Sequence, residues 1–300
     1  MEIRGRKVGD GAPSYIVAEV GQAHDGSYAL AHAYIDAVAE AGADAVKFQC
    51  HIAEAESTPD EKWRVEPRWR QDASRFDYWR RMEFKPQQWR ELQEHAHQMG
   101  LGFIVSPFSV EAVRMLAPLV DAWKVASGEV ENEPLLEAIR ADGKPIIVST
   151  GMTPGRRYWG AAELACTSVY PCPPELIRLP SEGDWWDGLS DHSGTIWPAI
   201  VYAAMGWGGI IEVHVTLARG TGLLDETSSI TIAELRQMVE GVRFVERMGK
   251  ATPQEREERL KPMRELFLNR WKRKAPAEVT GTPSRLQPGD VPASASGGRV

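Results

Sequence analysis

Short runs of β-branched and other apolar residues recur along the chain with amphipathic stretches between them, the pattern of buried parallel strands joined by helices. Eight runs fit it: Tyr15–Val20, Ala45–Gln49, Gly102–Ser106, Ala122–Ala126, Pro145–Thr150, Glu163–Thr167, Asp187–Asp191 and Gly209–Val213. Eight parallel strands within 300 residues predict an α/β fold closed into a (β/α)8 TIM barrel rather than an open sheet. From Tyr28 to Ala41 the spacing sets Ala31, Tyr34, Ile35, Val38 and Ala41 on one helical stripe, which Gly42 stops. Helical spacing also predicts helices over Pro86–Met99, Val110–Ala117, Glu133–Ala141, Ile196–Met205 and Ile232–Arg247.

After the fifth strand only Gly151–Ala162 remains for a helix and its loops, and after the sixth only Tyr170–Trp186. Shortened helices are expected there, leaving a barrel flank that Trp159, Trp185 and Trp186 could shield or a homodimer could cover. Ahead of the barrel, Met1–Pro13 with its Gly9-Asp10-Gly11 turn reads as a hairpin able to plug the lower mouth. The expected organisation is therefore a hairpin over 1–13, the barrel over 14–250 and a helical extension over 251–274. A tail rich in Pro, Gly, Ser and Ala follows over 275–300, expected to be disordered because it holds too little apolar surface to offset its ordering entropy.

A net charge of −7 and the lack of a Lys/Arg-rich strand or helix face argue against nucleic acid as a partner. The basic stretch Arg270-Trp271-Lys272-Arg273-Lys274 reads as the solvated end of a helix. Cys50, Cys166 and Cys172 give neither an even disulfide set nor a zinc spacing, which suits a reducing compartment. The Met1 end carries charges, and no apolar run approaches the roughly 20 residues that span a bilayer. A soluble, cytoplasmic protein with no membrane partner is expected.

In such a barrel the chemistry sits where strands end and βα loops begin. The first strand ends in Glu19, followed by Gly21 and His24; the second carries Lys47 and Gln49, the third Ser106, and the fourth Lys124, Ser127 and Glu129. The sixth offers Thr167, Ser168 and Tyr170, the seventh Ser190, Asp191 and His192, the eighth Glu212, His214 and Thr216. Two lysines among hydroxyls make a cradle for phosphate and carboxylate, although either lysine could instead simply pair with Glu19 or Glu129. His192 and His214 end adjacent strands with Glu19 beside them, a reasonable divalent-metal site with open positions for substrate.

The segments YIVAEVGQAHDG from Tyr15, AVKFQ from Ala45, FIVSPFS from Phe103, WKVASGEVEN from Trp123, PIIVSTGM from Pro145, CTSVYPCP from Cys166, GLSDHSG from Gly188 and IEVHVTL from Ile211 stand at the eight strand ends. From about Val8 to Lys250 the chain thereby resembles the sialic acid synthases, the N-acetylneuraminate synthases with their legionaminate and pseudaminate relatives. The resemblance implies phosphoenolpyruvate binding by Lys47, Ser106, Lys124, Ser127, Ser168 and Ser190, and a manganese ion, or magnesium or cobalt, on His192 and His214. It makes Glu19 the acidic residue beside the reacting carbon, and puts Gln49, Glu129, Tyr170 and Asp225 near the acceptor sugar. The implied reaction joins phosphoenolpyruvate to the aldehyde of an N-acylated hexosamine, N-acetylmannosamine-like, giving a nonulosonic acid and phosphate.

The chain departs from the family at several points. Ala23 stands where the family has Asn, and Val213 and Val215 stand for Lys and Phe around His214. Leu223-Leu224-Asp225-Glu226 keeps the Asp of a Gly-Pro-Asp-His stretch and loses its His. The family's small antifreeze-like C-terminal domain is not expected in this tail. Two other readings stay open: phosphoenolpyruvate-dependent condensation with a different aldehyde, and a non-catalytic barrel that binds a sugar.

Overall fold

Each of the eight apolar runs forms a strand, and the strands pair in parallel, in chain order, until the last meets the first. The structure is a computed structural model, and it describes residues 1–268 except 10, 64, 66, 67, 70, 154–156, 159 and 182. In chain order the elements are β1 (Glu2–Ile3), β2 (Arg6–Lys7), β3 (Tyr15–Gly21), α1 (Tyr28–Ala41), β4 (Ala45–Cys50), α2 (Ala53–Glu56), α3 (Arg75–Met82), α4 (Pro86–Gln98), β5 (Gly102–Pro107), α5 (Val110–Leu116) and β6 (Ala122–Val125). There follow α6 (Glu133–Asp142), β7 (Ile146–Ser149), β8 (Ala162–Cys166), β9 (Gly188–Asp191), α7 (Trp197–Ala204), β10 (Ile210–Thr216), β11 (Ser229–Thr231), α8 (Ile232–Arg247) and α9 (Pro253–Phe267). Strands β3 to β10 are the barrel, an eight-stranded parallel TIM barrel as the sequence predicts.

Local signals explain the helix limits. Ser27 caps α1 by accepting from the Leu30 N–H, and Gly42 ends it in the left-handed conformation at φ 84°, its N–H on the Val38 and Ala39 carbonyls. Thr231 and Glu234 form a reciprocal capping box at the start of α8. Because strand side chains alternate, one set of strand residues faces the helices and the other the barrel axis. The outer set, with Ile16, Ala18, Val46, Phe48, Phe103 and Trp123, packs against helix residues such as Ile35, Leu92 and Val242.

The inner set has two storeys. At the N-terminal end of the barrel Val17, Ala45, Ile104, Ala122, Ile147, Leu164 and Ile210 form an apolar plug, and Ile3 and Val8 of the N-terminal hairpin complete it from below. Ile3 is 1 % exposed and Val8 3 %. The hairpin thus closes the lower mouth, although Asp10 of its expected turn lies outside the described residues. Ile3→Ala empties a site where little can collapse, and is expected to lower stability by about 2–4 kcal/mol. A urea midpoint equal to that of the unmodified protein would show that the hairpin adds nothing to the core.

The thin flank is real. Among the described residues no α-helix lies between β7 and β8, and only a 3₁₀ turn, Pro174–Leu176, lies between β8 and β9. Tyr158 is buried in the core there, and Leu179 packs against that core. Trp185 Nε1 donates to Glu163 at 3.2 Å and Trp186 Nε1 to Thr150 Oγ1 at 3.1 Å. Arg157 and Arg178 stack over the two indoles. Trp159 lies outside the described residues.

Two features differ from the sequence-based expectation. The connection from β4 to β5 holds α2 and α3, whose short length and polar composition give no clear helical period. β10 runs on to Thr216, beyond the predicted Val213, because β11 pairs with it at His214↔Ser229 and Thr216↔Thr231. His214 and Thr216 therefore sit within a strand, held by ladder bonds on that side.

The described residues from Gly249 to Leu268 belong to a second unit. Its helix α9 starts at a Thr252–Glu255 capping box with Pro253 in the first turn, and its residues are exposed throughout. The Arg270–Lys274 stretch and the 275–300 tail lie outside the described residues. No described helix is long and apolar enough to cross a membrane.

Candidate active site

Above the apolar plug the barrel interior turns polar, and a cavity of about 540 Å³ opens at the C-terminal ends of the strands. The period of two that aims Val17 and Ala45 into the plug aims Glu19 and Lys47, two residues later, into this cavity, and does the same for Glu212 and His214 on β10. Between β3 and β4 the register slips between Glu19 and Gly21. Gly21 has φ 55°, and a Cβ there would come within 3.2 Å of both Gln49 Nε2 and Glu19 Oε1, so only glycine lets these side chains approach.

Four buried charges alternate across the barrel. Lys47 Nζ lies 2.7 Å from Glu19 and 3.8 Å from Glu212, and Lys124 Nζ lies 3.5 Å from Glu212. Burial works against the Lys47 ammonium, but Glu19 and Glu212 outweigh it and hold its pKa above the ordinary lysine value. Burial pulls the Lys124 pKa below that value, with Glu212 only partly opposing it. Burial would raise Glu212, yet Lys124 and Lys47 bring it down to about 2. Burial holds Glu19 above the usual carboxylate range against the pull of Lys47.

Hydroxyls surround the ammonium groups. Lys47 donates to Ser106 Oγ at 3.2 Å, Lys124 to Ser149 Oγ at 2.8 Å, and Ser190 to Glu212 at 3.2 Å. Ser127 Oγ accepts from Ser168 at 2.9 Å. Glu212 Oε2 is buried with no hydrogen-bond partner among the described residues. An anion entering here meets two ammonium groups and several rotatable O–H donors, whose redirection costs little.

Tyr170 OH lies 2.8 Å from His192 Nε2, and the rings of His192 and His214 stand 5.2 Å apart. Burial pushes both imidazoles down to about 3, so each is neutral near pH 7 with a lone pair to offer. Among the described residues no three or more His, Cys, Asp or Glu side chains gather at metal-binding distances. The two neutral imidazoles, with the unpartnered Glu212 oxygen on the same strand face as His214, are a donor set that suits a divalent ion completed by water and substrate.

Of the thirteen residues to which the family resemblance gives a role, eleven line the cavity: Glu19, Lys47, Gln49, Ser106, Lys124, Ser127, Tyr170, Ser190, His192, His214 and Asp225. Burial, then the Glu19 carboxylate, raises Asp225 to about 6. Ser168 sits behind Ser127 rather than in the lining. Glu129 is also outside it, its carboxylate accepting from Asn132 Nδ2 at 2.8 Å. The Lys47–Glu19 pairing foreseen as an alternative is present, whereas the close partner of Lys124 is Glu212. His24 also lies off the cavity, its Nδ1 accepting from the Gly26 N–H at 3.1 Å.

The sequence reading gave no role to Glu212 or Ser149, nor to the wall built by Trp63, Tyr78 and Trp79. For Glu212 a signal existed, since it lies two residues before His214 and so shares its strand face. The aromatic wall comes from the irregular connection after β4, which carries no period to read.

Comparison with known proteins agrees with this geometry. The NeuB family pattern matches residues 34–252. Over 274 residues, 83 % of this chain and 75 % of the relative, the chain is 33 % identical to N-acetylneuraminate-9-phosphate synthase from Homo sapiens. It is 29 % identical over 259 residues to N,N'-diacetyllegionaminic acid synthase from Campylobacter jejuni, covering 77 % of this chain and 76 % of that one. The crystal structure of the N-acetylneuraminic acid (sialic acid) synthetase from Leptospira borgpetersenii superposes with a TM-score of 0.71 at 25 % identity, over 89 % of this chain and 97 % of that one. The chain belongs to the NeuB family and is an enzyme of the synthase type.

Proposed function

We propose that the protein condenses phosphoenolpyruvate with the open-chain aldehyde of an N-acylated hexosamine, N-acetylmannosamine-like, to give a nonulosonic acid and phosphate. The observation that supports this most is the buried Glu19–Lys47–Glu212–Lys124 set under an open cavity, in a chain of this family. Lys47 and Lys124, with Ser106, Ser127, Ser149 and Ser190, hold the phosphate and carboxylate of phosphoenolpyruvate. Fixed charges already aimed at the anion need no reorganisation as charge develops, which makes preorganisation the largest catalytic contribution expected here.

C3 of phosphoenolpyruvate then attacks the aldehyde carbon, water adds at C2, and phosphate leaves with cleavage of its C–O bond. Glu19, a carboxylate paired with Lys47 whose proton affinity burial raises, takes the proton of the adding water. A manganese ion, or magnesium or cobalt, held by His192 and His214 would supply Lewis-acid polarisation of the aldehyde. The Tyr170 hydroxyl lies 2.8 Å from His192 Nε2 and would turn from it where His192 holds the ion. Gln49, Tyr170 and Asp225 face the acceptor from the cavity wall.

The reading is tested by phosphate release from phosphoenolpyruvate with manganese and a panel of N-acylated hexosamines, against controls lacking sugar or containing a chelator. Sugar-dependent, chelator-sensitive release supports it, and phosphoenolpyruvate binding without release on any acceptor refutes it. His192→Ala is expected to abolish metal-dependent turnover; retained turnover in that variant takes His192 out of the metal site.

A further inference from the structure

One buried network outside the cavity has no part in the chemistry so far. His51, just past the end of β4, is clamped between Trp79, at 3.7 Å and 16°, and Phe108, at 4.2 Å and 20°. Its Nδ1 lies 2.8 Å from Glu56 Oε1 on α2, and its Nε2 lies 3.1 Å from Gln49 Oε1. Neither His51 nor Glu56 lines the cavity. We propose that His51 and Glu56 are positioning residues that lock the side-chain amide of Gln49 with its NH₂ group on Glu19.

The hydrogen bonds around Gln49 fix the orientation of its amide. The Tyr78 hydroxyl donates to Gln22 Oε1, which leaves the Gln22 NH₂ to donate to Gln49 Oε1 at 2.9 Å. With its oxygen so engaged, Gln49 turns its own NH₂ to Glu19 Oε1 at 2.8 Å. The second donor to Gln49 Oε1 is then His51 Nε2–H. A neutral imidazole has one N–H, so Nδ1 is left with a lone pair, and the Glu56 oxygen facing it must carry a proton. With His51 neutral this makes Glu56 a carboxylic acid; an imidazolium on a Glu56 carboxylate would fill the same bonds, but burial of both groups disfavours two charges there.

The surroundings favour that state. Burial, then the Glu129 carboxylate, raises Glu56 to about 9, with Glu61 and Glu83 acting in the same direction and Arg75 against it. Burial and Arg75 push His51 down to about 3, with Glu19 and Glu129 opposing. Both groups are thus neutral near pH 7. Above about pH 9, loss of one proton leaves Glu56 charged and the remaining ring proton on Nδ1. Nε2 then presents a lone pair to Gln49, whose amide must turn over and set its oxygen against Glu19.

The role in turnover rests on the proposed reaction, so the test has one readout independent of it. In protein carrying ¹⁵N-labelled histidine, the ring nitrogens of His51, assigned by their loss in His51→Phe, should show the Nε2–H tautomer at pH 7 and Nδ1–H above about pH 9. An Nδ1–H tautomer at pH 7 overturns the proposal whether or not an acceptor is found. With an active preparation, His51→Phe keeps the stack and removes the donor, and should lower kcat about tenfold, the upper end of the loss expected for one hydrogen bond between neutral groups, with KM for phosphoenolpyruvate unchanged. Glu56→Gln, whose amide can donate to Nδ1 as the acid does, should keep the tautomer and the turnover and abolish the alkaline fall in rate. A Glu56→Gln variant as impaired as His51→Phe, or one that retains the alkaline fall, also overturns it.

Discussion

Lys124→Met is expected to lower kcat/KM for phosphoenolpyruvate by roughly two to three orders of magnitude, since one preorganised charge in a dry site contributes on the order of 3–4 kcal/mol to a transition state. The side chain is buried, reaches Ser149 Oγ at 2.8 Å, and shares Glu212 Oε1 with Lys47. Methionine keeps the length of the stem and removes only the ammonium. Initial rates across phosphoenolpyruvate concentrations, under the metal and acceptor conditions of the phosphate-release assay, measure the effect. A loss of less than about tenfold, the scale of a single hydrogen bond, would show that Lys124 only balances Glu212.

The largest effect on stability is expected at Glu212. Glu212→Leu leaves two ammonium groups in the barrel interior with Glu19 as the remaining carboxylate of the set, and removing one member of a buried ion pair destabilises by about 3–5 kcal/mol. Adding Lys124→Met to Glu212→Leu removes the stranded charge together with its partner and should recover most of that loss, because replacing both members by apolar groups is close to neutral. Activity should remain absent in the double variant. Urea titrations of both single variants and the double variant close the cycle. A double variant as unstable as the sum of the singles would mean that Glu212 and Lys124 are energetically independent, contrary to their 3.5 Å separation.

The barrel was legible because its signals are local. Parallel strands covered on the outer face read as apolar runs, Gly42 and Ser27 mark the limits of α1, and the short stretches after β7 and β8 leave no room for full-length helices. Strand ends in this architecture face one cavity, so Glu19, Lys47, Lys124, Ser190, His192 and His214 could be grouped from sequence positions far apart.

What only the tertiary structure decided are the meetings across the barrel axis. A period of two says which face a side chain takes, but not which inward side chain on another strand it reaches. That depends on barrel register and side-chain length, and so Lys124 meets Glu212 while Glu129 turns to Asn132, and Ser168 backs Ser127. The aromatic wall and the His51–Glu56 pair come from the irregular stretch between β4 and α4, where tertiary packing rather than any local period fixes the backbone. The sequence by itself determined the barrel and the polar residues at its mouth; packing across the axis determined which charges neutralise one another, because in a low-dielectric interior a few ångströms separate a compensated charge from a stranded one.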